Sequence, residues 1–237
     1  MYKYSKYVKA FMEKGLRKVF VEAKSLYGMI FFVGIGFFTA YLLLRRVVRI
    51  QGGRLRTRRV AGPKGYGTRP LMAVIKEAIF SILGDRVQGA RIADVCAGTG
   101  TFGLEALSRG AAFAIFLEQS NTMARLITKN LETLGLLSCA EVWAIDARKG
   151  IDRLEKLTGM DIVFLDPPFF SDAGPDIMGG FLRAPRLWKL LIVRFHKKEV
   201  WPKKLLDASE DLVWLAKEKS YGESKVIFLE HREEHNG

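Results

Sequence analysis

The sequence predicts an α/β fold with a doubly wound, mostly parallel seven-stranded sheet, preceded by an N-terminal apolar helix and a small basic β-hairpin arm. Short, continuously apolar segments alternate along the chain with segments of helical periodicity, as in parallel strands joined by helices. Glycines end most of the helical segments. The 237 residues are 49% hydrophobic, which is enough to fill one core and excludes a disordered chain.

The first predicted element is an apolar helix at 26–44. Its nineteen residues carry no charge, and at about 1.5 Å per residue such a helix spans the hydrocarbon core of a bilayer. Basic residues are more concentrated after it than before it, so the positive-inside rule places the rest of the chain in the cytoplasm. We expect a transmembrane or anchoring helix at the cytoplasmic membrane. A helix packed on a partner, or upstream translation outside the working protein, are the alternatives.

A basic arm follows at 45–69, with nine basic and no acidic residues. Residues 1–44 carry a charge of +5, so the total of +13 leaves 70–237, the expected main domain, with −1. Segments 47–51 and 55–60 are predicted to pair as a hairpin around Gly52 and Gly53. Anionic lipid and nucleic-acid phosphates are both possible partners of this arm. The nucleic-acid interpretation assigns the binding to Arg54, Arg56, Arg58, Arg59 and Arg69.

The rest of the chain carries helix and strand signals in alternation. In the helix predicted at 69–83, Val74, Ile75 and Ile79 share one face. The pair Pro167-Pro168 ends a strand, because proline cannot donate to the hydrogen-bond ladder. Helices are predicted at 69–83, 101–109, 121–134 and 147–157. Strands are predicted at 91–96, 112–117, 141–145, 161–165, 190–195, 211–217 and 225–230.

Composition excludes several classes of protein. Two cysteines, Cys96 and Cys139, exclude a disulfide framework and a thiolate zinc site. The histidines at 196, 231 and 235 fit no metal spacing, so we expect no metal. The net charge indicates an anionic partner, either nucleic acid or an acidic membrane surface.

Acidic residues stand at the ends of three successive predicted strands, where ligands bind in doubly wound folds. Asp94 precedes the turn Ala97-Gly98-Thr99-Gly100, whose glycines let the backbone approach a ligand closely. The turn lacks the GxGxxG and Walker spacings. Glu118 follows the next strand and is suited to ribose hydroxyls, and Asp146 follows the third and is suited to an adenine amino group. Each acid alone is unremarkable, but three together predict a binding crevice.

The fourth predicted strand ends in Asp166-Pro167-Pro168-Phe169. Two prolines fix the chain in an extended conformation, and a rigid turn would be their purely structural role. An aspartate carboxylate and a proline carbonyl are also two acceptors that can hold an exocyclic amino group. Phe169 offers a ring face on which a flipped base can stack.

In this order of motifs the chain resembles class I S-adenosylmethionine-dependent methyltransferases with a (D/N)PP(Y/F) motif. It is most similar to the RsmD-type 16S rRNA (guanine-N2)-methyltransferases. The segments that carry the resemblance are RIQGGRLRTRRV (49–60), TRPLMAVIKEAIFSIL (68–83), AGTGTFGLEALSRGA (97–111), LDPPF (165–169) and SYGESKVIFLE (220–230). Departures from the family pattern are Cys96 in place of an aromatic, Leu71 in place of Thr, Ser81 in place of Asn, and the absence of an acid in 191–196.

The resemblance implies a Rossmann-like fold, S-adenosyl-L-methionine as the cofactor, and methyl transfer to the exocyclic N2 of a guanine. It places the cofactor against Asp94 and the 97–100 turn, with Glu118 on its ribose and Asp146 near its adenine. The target amino group lies between Asp166 and the carbonyl of Pro167. The implied partner is 16S rRNA or an assembling small ribosomal subunit, bound by a monomer. Two alternatives remain: a DNA adenine-N6 or other amino-group methyltransferase, and a membrane-tethered nucleic-acid-binding module without catalysis.

Overall fold

The structure, a computed structural model, describes residues 47–62, 70–157 and 159–231. All of them belong to one compact unit, Arg46–Gly237. The apolar helix predicted at 26–44 and the predicted RNA contact Arg69 lie outside the described residues. Within the described ranges, no helix has both the length and the apolar character needed to cross a membrane.

The core of this unit is a seven-stranded sheet in the order β5-β4-β3-β6-β7-β9-β8. The strands are β3 (Arg91–Val95), β4 (Phe113–Leu117), β5 (Ala140–Trp143), β6 (Met160–Leu165), β7 (Trp188–His196), β8 (Val213–Tyr221) and β9 (Ser224–His231). The strands β5, β4, β3, β6 and β7 are parallel, and β9 is antiparallel to both β7 and β8. The predicted mostly parallel seven-stranded sheet is therefore confirmed.

Helices cover both faces of the sheet. They are α1 (Pro70–Leu83), α2 (Thr101–Ser108), α3 (Asn121–Leu134), α4 (Ala147–Glu155), α5 (Ala173–Arg183) and α6 (Trp201–Asp207). Alternate strand residues enter two separate cores: Phe116 and Phe164 pack with α1, α2 and α3, while Leu117 and Leu165 pack with α4 and α5. Because both faces are buried, the parallel strands read as continuous apolar runs.

The sequence patterns located most of these elements and missed two. Helix α3 has the predicted bounds because Ser120 caps its start and Gly135, at φ 69°, ends it. Helices α5 and α6 were not predicted: α5 holds three glycines and a proline, all poor helix formers, and α6 has only seven residues. The strand predicted at 141–145 is wrong at its C-terminal end, because β5 stops at Trp143. Ile145 donates its N–H to the Trp143 carbonyl (2.9 Å), which turns the chain away from the sheet.

The basic segment forms the expected hairpin, with a different second strand. Strand β1 (Val47–Arg49) pairs antiparallel with β2 (Arg59–Ala61), with Val48 opposite Val60. The prediction of a strand at 55–60 is therefore wrong for 55–58. The connection begins against α2 instead: Arg54 N–H donates to the Ser108 carbonyl (2.7 Å), and Leu55 N–H to the Ser108 hydroxyl (3.0 Å). The N–H groups of residues 56–58 donate to carbonyls within the hairpin.

Glu105 of α2 fixes the hairpin to the core. Its side chain is fully buried (0% exposed) and accepts hydrogen bonds from the N–H groups of Gln51 (2.9 Å) and Gly52 (2.6 Å). It also pairs with Lys76 Nζ of α1 (2.9 Å) and Arg109 Nε (2.9 Å). A buried carboxylate with two cations and two backbone donors is fully satisfied. The arginine-rich connection is thus held rigidly against the folded domain.

Candidate functional site

The carboxyl ends of β3, β4 and β6 lie side by side and bring the predicted acidic residues together. Cys96 follows β3 with a left-handed φ of 60°. Burial and nearby carboxylates raise the pKa of its thiol to about 12. The carboxylates that act on this thiol are Asp166, Glu118, Asp94 and Asp146. The four acids predicted from sequence therefore all lie near Cys96.

Asp94, within β3, is the most buried of these acids, at 2% exposed. One carboxylate oxygen accepts the N–H of Gly103 in α2 (2.9 Å), which fixes the side chain across the glycine turn. Burial, and to a smaller degree the charges of Asp166 and Glu118, raise its pKa to about 8. A cationic ligand placed here would relieve this repulsion and favour the ionised carboxylate.

The glycine turn is held by Glu118. Gly98 and Gly100 have φ values of 55° and 71°, in the left-handed region that favours glycine. Glu118 accepts the N–H of Gly98 at one oxygen (2.7 Å) and the N–H of Ser120 at the other (2.7 Å). Each oxygen keeps a second lone pair that can accept a ligand hydroxyl. Glu118 thus shapes the turn and lies with the other acids near Cys96.

The position of Asp146 predicts a contact with a ligand's adenine, but its partner within the protein is Arg148. It caps α4 by accepting the N–H of Arg148 (2.9 Å), and it also pairs with the guanidinium of that residue (2.6 Å). These bonds lower the pKa of Asp146. The predicted adenine acceptor therefore lies at the site as a charged, arginine-bound carboxylate.

Asp166 follows β6 and pairs with an arginine on the neighbouring strand. Arg194 of β7 donates from Nε to its Oδ1 (2.7 Å) and from Nη1 to the Ser224 hydroxyl (3.0 Å), and Nη2 lies 2.6 Å from the same Oδ1 in an ion pair. Burial raises the pKa of Asp166, and the charge and hydrogen bonds of Arg194 oppose that rise. Among the described residues, Oδ2 of Asp166 and the carbonyl of Pro167 accept no hydrogen bond. These two acceptors therefore have no protein partner within the described ranges.

Aromatic rings adjoin these acceptors. The guanidinium of Arg194 lies 4.6 Å from the centre of the Phe169 ring, a cation–π distance. Phe170 is 67% exposed and has a φ of 58°, a strained conformation for a bulky residue that costs on the order of 1–3 kcal/mol. The N–H of Phe170 donates to Glu199 (2.9 Å), which holds the turn in place.

Arg194 and Glu199 are site residues that the sequence analysis missed. Arg194 interrupts the otherwise apolar segment 190–195, and a charge within a buried strand signals a buried partner. Segment 191–196, which lacks the acid of the family pattern, contributes a cation instead, and this cation is paired to Asp166. Glu199 had no comparable signal, because it lies in a charged surface loop.

The hairpin presents its arginines to solvent. Arg54, Arg56, Arg58 and Arg59 are exposed and form no salt bridge with any residue of the described ranges. Arg49 lies directly opposite Arg59 in the strand register, and like charges in that position repel. A polyanion would relieve this repulsion.

In the described part of the chain, no cluster of three or more metal-binding side chains is present.

A doubly wound sheet with acids at its carboxyl edge and an Asp-Pro-Pro-Phe turn beside a glycine turn defines a class I methyltransferase. The family described as conserved hypothetical protein 95 matches residues 48–230. The chain belongs to this family, the RsmD family of methyltransferases.

Individual relatives agree with this assignment. YlbH of Bacillus subtilis (strain 168), provisionally named an rRNA methyltransferase, is 32% identical over 191 residues, which cover 78% of this chain and 100% of YlbH. Ribosomal RNA small subunit methyltransferase D of Escherichia coli (strain K12) is 35% identical over 122 residues, covering 52% of this chain and 60% of that protein. The solved structure of yhhF from Escherichia coli, provisionally titled a methyltransferase, has a TM-score of 0.66 at 28% identity, covering 78% of this chain and 98% of that one.

Proposed function

We propose that this protein transfers a methyl group from S-adenosyl-L-methionine to the exocyclic N2 of a guanine in small-subunit (16S) rRNA. The observation that carries the proposal is the pair of acceptors without a protein partner in the described ranges, Asp166 Oδ2 and the Pro167 carbonyl, close to the acids at the carboxyl ends of the strands. Membership of the RsmD family, which includes small-subunit rRNA methyltransferases, supports the same chemistry.

The acids at the carboxyl ends of the strands suit a cofactor that combines a cation, a ribose and an adenine. Asp94 and the 97–100 turn would hold the cationic methionine part, since the raised pKa of Asp94 falls when a cation binds nearby. Glu118 would accept the ribose hydroxyls with its remaining lone pairs. Asp146 would lie near the adenine. When bound, the sulfonium supplies an electrophilic methyl group.

At the target, the chain's own groups orient the guanine amino nitrogen. An exocyclic amino group has two N–H donors, and the Asp166 carboxylate and the Pro167 carbonyl are two acceptors for them. With both donors engaged, the nitrogen lone pair is left to face the methyl donor. Asp166 then stabilises the positive charge that develops on nitrogen and accepts the proton. Catalysis comes mainly from this positioning and electrostatics.

Phe169 would supply the surface on which the extruded guanine rests. Base–aromatic stacking contributes about 1–3 kcal/mol per base, which offsets part of the cost of unstacking the target. Arg194, over the Phe169 ring and bound to Asp166, holds both residues in one arrangement. The prolines between them keep their spacing fixed.

Arg194 sets the pH range in which Asp166 is ionised. Removing its charge in Arg194→Met takes away the groups that lower the pKa of Asp166, so this pKa rises further. The ionised form is the active one, and we expect the acid limb of the kcat/KM profile to move to higher pH. Asp94 and Cys96 also face Asp166, and the variant leaves both in place. Arg194→Lys, which keeps the charge, should shift the limb less. An acid limb identical in wild type and Arg194→Met would contradict this role.

The arm 45–69 would bind rRNA phosphates next to the methyltransferase domain, 70–237. Changing Arg54, Arg56, Arg58 and Arg59 to Ala removes four exposed charges. We expect RNA affinity to fall and the slope of log K against log salt to decrease in magnitude by roughly 3, at about 0.7–0.9 per phosphate contact. Fluorescence anisotropy across a salt series measures both quantities.

A matched control removes four exposed charges near the amino ends of β6 and β7, outside the arm. Lys156 precedes β6, and Arg183, Arg186 and Lys189 precede or open β7. Their replacement by Ala changes the net charge by the same amount as the arm variant. Because these residues lie outside the arm, the slope of log K against log salt should stay close to that of the wild type. Equal slopes for the two quadruple variants would show that the arm has no special role.

The direct test is an assay with radiolabelled S-adenosylmethionine. Small-subunit particles from cells that lack the gene should accept methyl groups, and digestion should yield N2-methylguanosine. Duplex DNA should accept none. Transfer to DNA adenine in place of rRNA would replace the proposed function with the DNA amino-methyltransferase alternative.

A further inference from the structure

Phe170, directly after the Asp-Pro-Pro-Phe turn, is a large aromatic side chain held in an exposed position. It is 67% exposed, the highest value for any large hydrophobic residue of the described ranges. Its left-handed φ of 58° is unusual for a bulky residue. A strained, exposed ring next to a catalytic motif persists only where surrounding bonds hold it, and such strain clusters at functional sites.

Glu199 holds this ring in place. Its carboxylate accepts the N–H of Phe170 (2.9 Å) and the N–H of His196 (2.8 Å), as well as the indole N–H of Trp201 (2.9 Å). The His196 ring lies 4.6 Å from the ring of Phe170 and supports it from the end of β7. One carboxylate thus ties the Phe170 turn to the β7–α6 connection, and the ring is positioned before any ligand arrives.

The Phe170 ring cannot serve the same base as Phe169. The two ring centres are 6.5 Å apart and their planes are inclined by 73°. A base stacked on one ring would stand nearly edge-on to the other. Two rings in this arrangement accept two different bases whose planes diverge. That is the geometry of an extruded base and an unstacked neighbour, since single-stranded RNA is recognised by splaying its bases onto aromatic side chains.

The surface around Phe170 is suited to an RNA strand. Lys197 and Lys198 are exposed and directly follow His196. Lys197 pairs with Glu223 (2.7 Å), whereas Lys198 has no acidic partner among the described residues. A stacking surface flanked by positive charge is the usual combination for a single-stranded nucleic acid.

We propose that Phe170 is a second stacking site, which binds an unpaired nucleobase of the substrate RNA adjacent to the target guanine. This inference rests on the proposed rRNA methyltransferase function and adds a recognition site to it. Phe170 is a binding residue here, and the methyl-transfer chemistry stays with Asp166.

The test compares Phe170→Ala, Phe170→Leu and Phe170→Tyr in the full chain, with small-subunit particles from cells lacking the gene as substrate. We expect the Ala and Leu variants to raise KM for particles on the order of ten-fold or more. The Tyr variant keeps a ring face and should resemble the wild type. Binding of S-adenosylmethionine, measured by calorimetry, should be unchanged in all three.

The matched control is Leu137→Ala, which truncates another exposed apolar side chain (50% exposed) just before β5, at the opposite edge of the sheet. Its KM should equal that of the wild type. A Leu variant that keeps the wild-type KM would show that Phe170 acts by bulk alone and would overturn the proposal, as would an unchanged KM in the Ala variant.

A second readout separates this inference from the proposed function. The Kd of a short single-stranded RNA is measured for the wild type and for Phe170→Ala. If the wild type transfers no methyl group to particles, the proposed function fails. The RNA Kd of Phe170→Ala, compared with that of the wild type, then shows by itself whether Phe170 binds a nucleobase. If the wild type is active and neither KM nor Kd responds to Phe170→Ala, the second stacking site alone is wrong.

Discussion

Replacing Asp166 with Asn should reduce kcat by about 10³-fold while leaving cofactor affinity within two-fold, or about 0.4 kcal/mol, of the wild type. Asn keeps an oxygen for Arg194, so the site stays assembled, but its amide NH2 replaces the Oδ2 acceptor that would hold the substrate amino group. It removes the negative charge that stabilises the developing cation and the group that accepts the proton. Steady-state methyl transfer and calorimetric binding of S-adenosylmethionine measure the two effects separately.

The control for this prediction is Asp172→Ala, which removes an exposed carboxylate six residues further along the chain. It should leave kcat unchanged. Asp166→Ala is less informative by itself, because it leaves the largely buried Arg194 without its ion-pair partner and lowers stability as well. Near-normal turnover in Asp166→Asn would show that another group receives the amino proton.

Replacing Glu105 with Ala should lower the free energy of unfolding by about 3–5 kcal/mol. The change leaves Lys76, which is 8% exposed, as a buried cation without its partner. It also removes the acceptor for the N–H groups of Gln51 and Gly52. The hairpin should then detach more readily from α2, so its amides should exchange with solvent faster. Urea unfolding and hydrogen exchange measure these two effects.

Glu77 provides the matched control, since it is a second carboxylate near Arg109, at 3.7 Å, but its side chain is 54% exposed. Glu77→Ala should cost less than about 1 kcal/mol, as is usual for surface ion pairs. A loss of similar size in the two variants would contradict the role assigned to the buried network.

The sequence located those parts of the fold whose signals are local. Helix α3 has its cap, its periodicity and its terminal glycine within one continuous segment, and its predicted bounds were correct. The position of the acids at strand ends could be predicted for the same reason. The resemblance then supplied the roles of Asp166 and its neighbours, which no spacing alone implies.

The parts that sequence analysis missed depend on contacts between distant residues. The partnership of Arg194 with Asp166 requires β7 to lie beside β6, and the 28-residue separation gives no sign of it. The second hairpin strand begins at Arg59 because Glu105 and Ser108 bind the connecting backbone at Gly52 and Leu55, each across a separation of 53 residues. Both cases are tertiary interactions that override local propensity.

The most direct test of the account is mass-spectrometric mapping of methylated guanines in small-subunit rRNA from cells with and without this gene. We predict that deletion removes N2-methylation from a guanine, that the wild-type gene restores it, and that the Asp166→Asn gene does not. An unchanged N2-methylguanosine pattern in the deletion strain would contradict the proposed function.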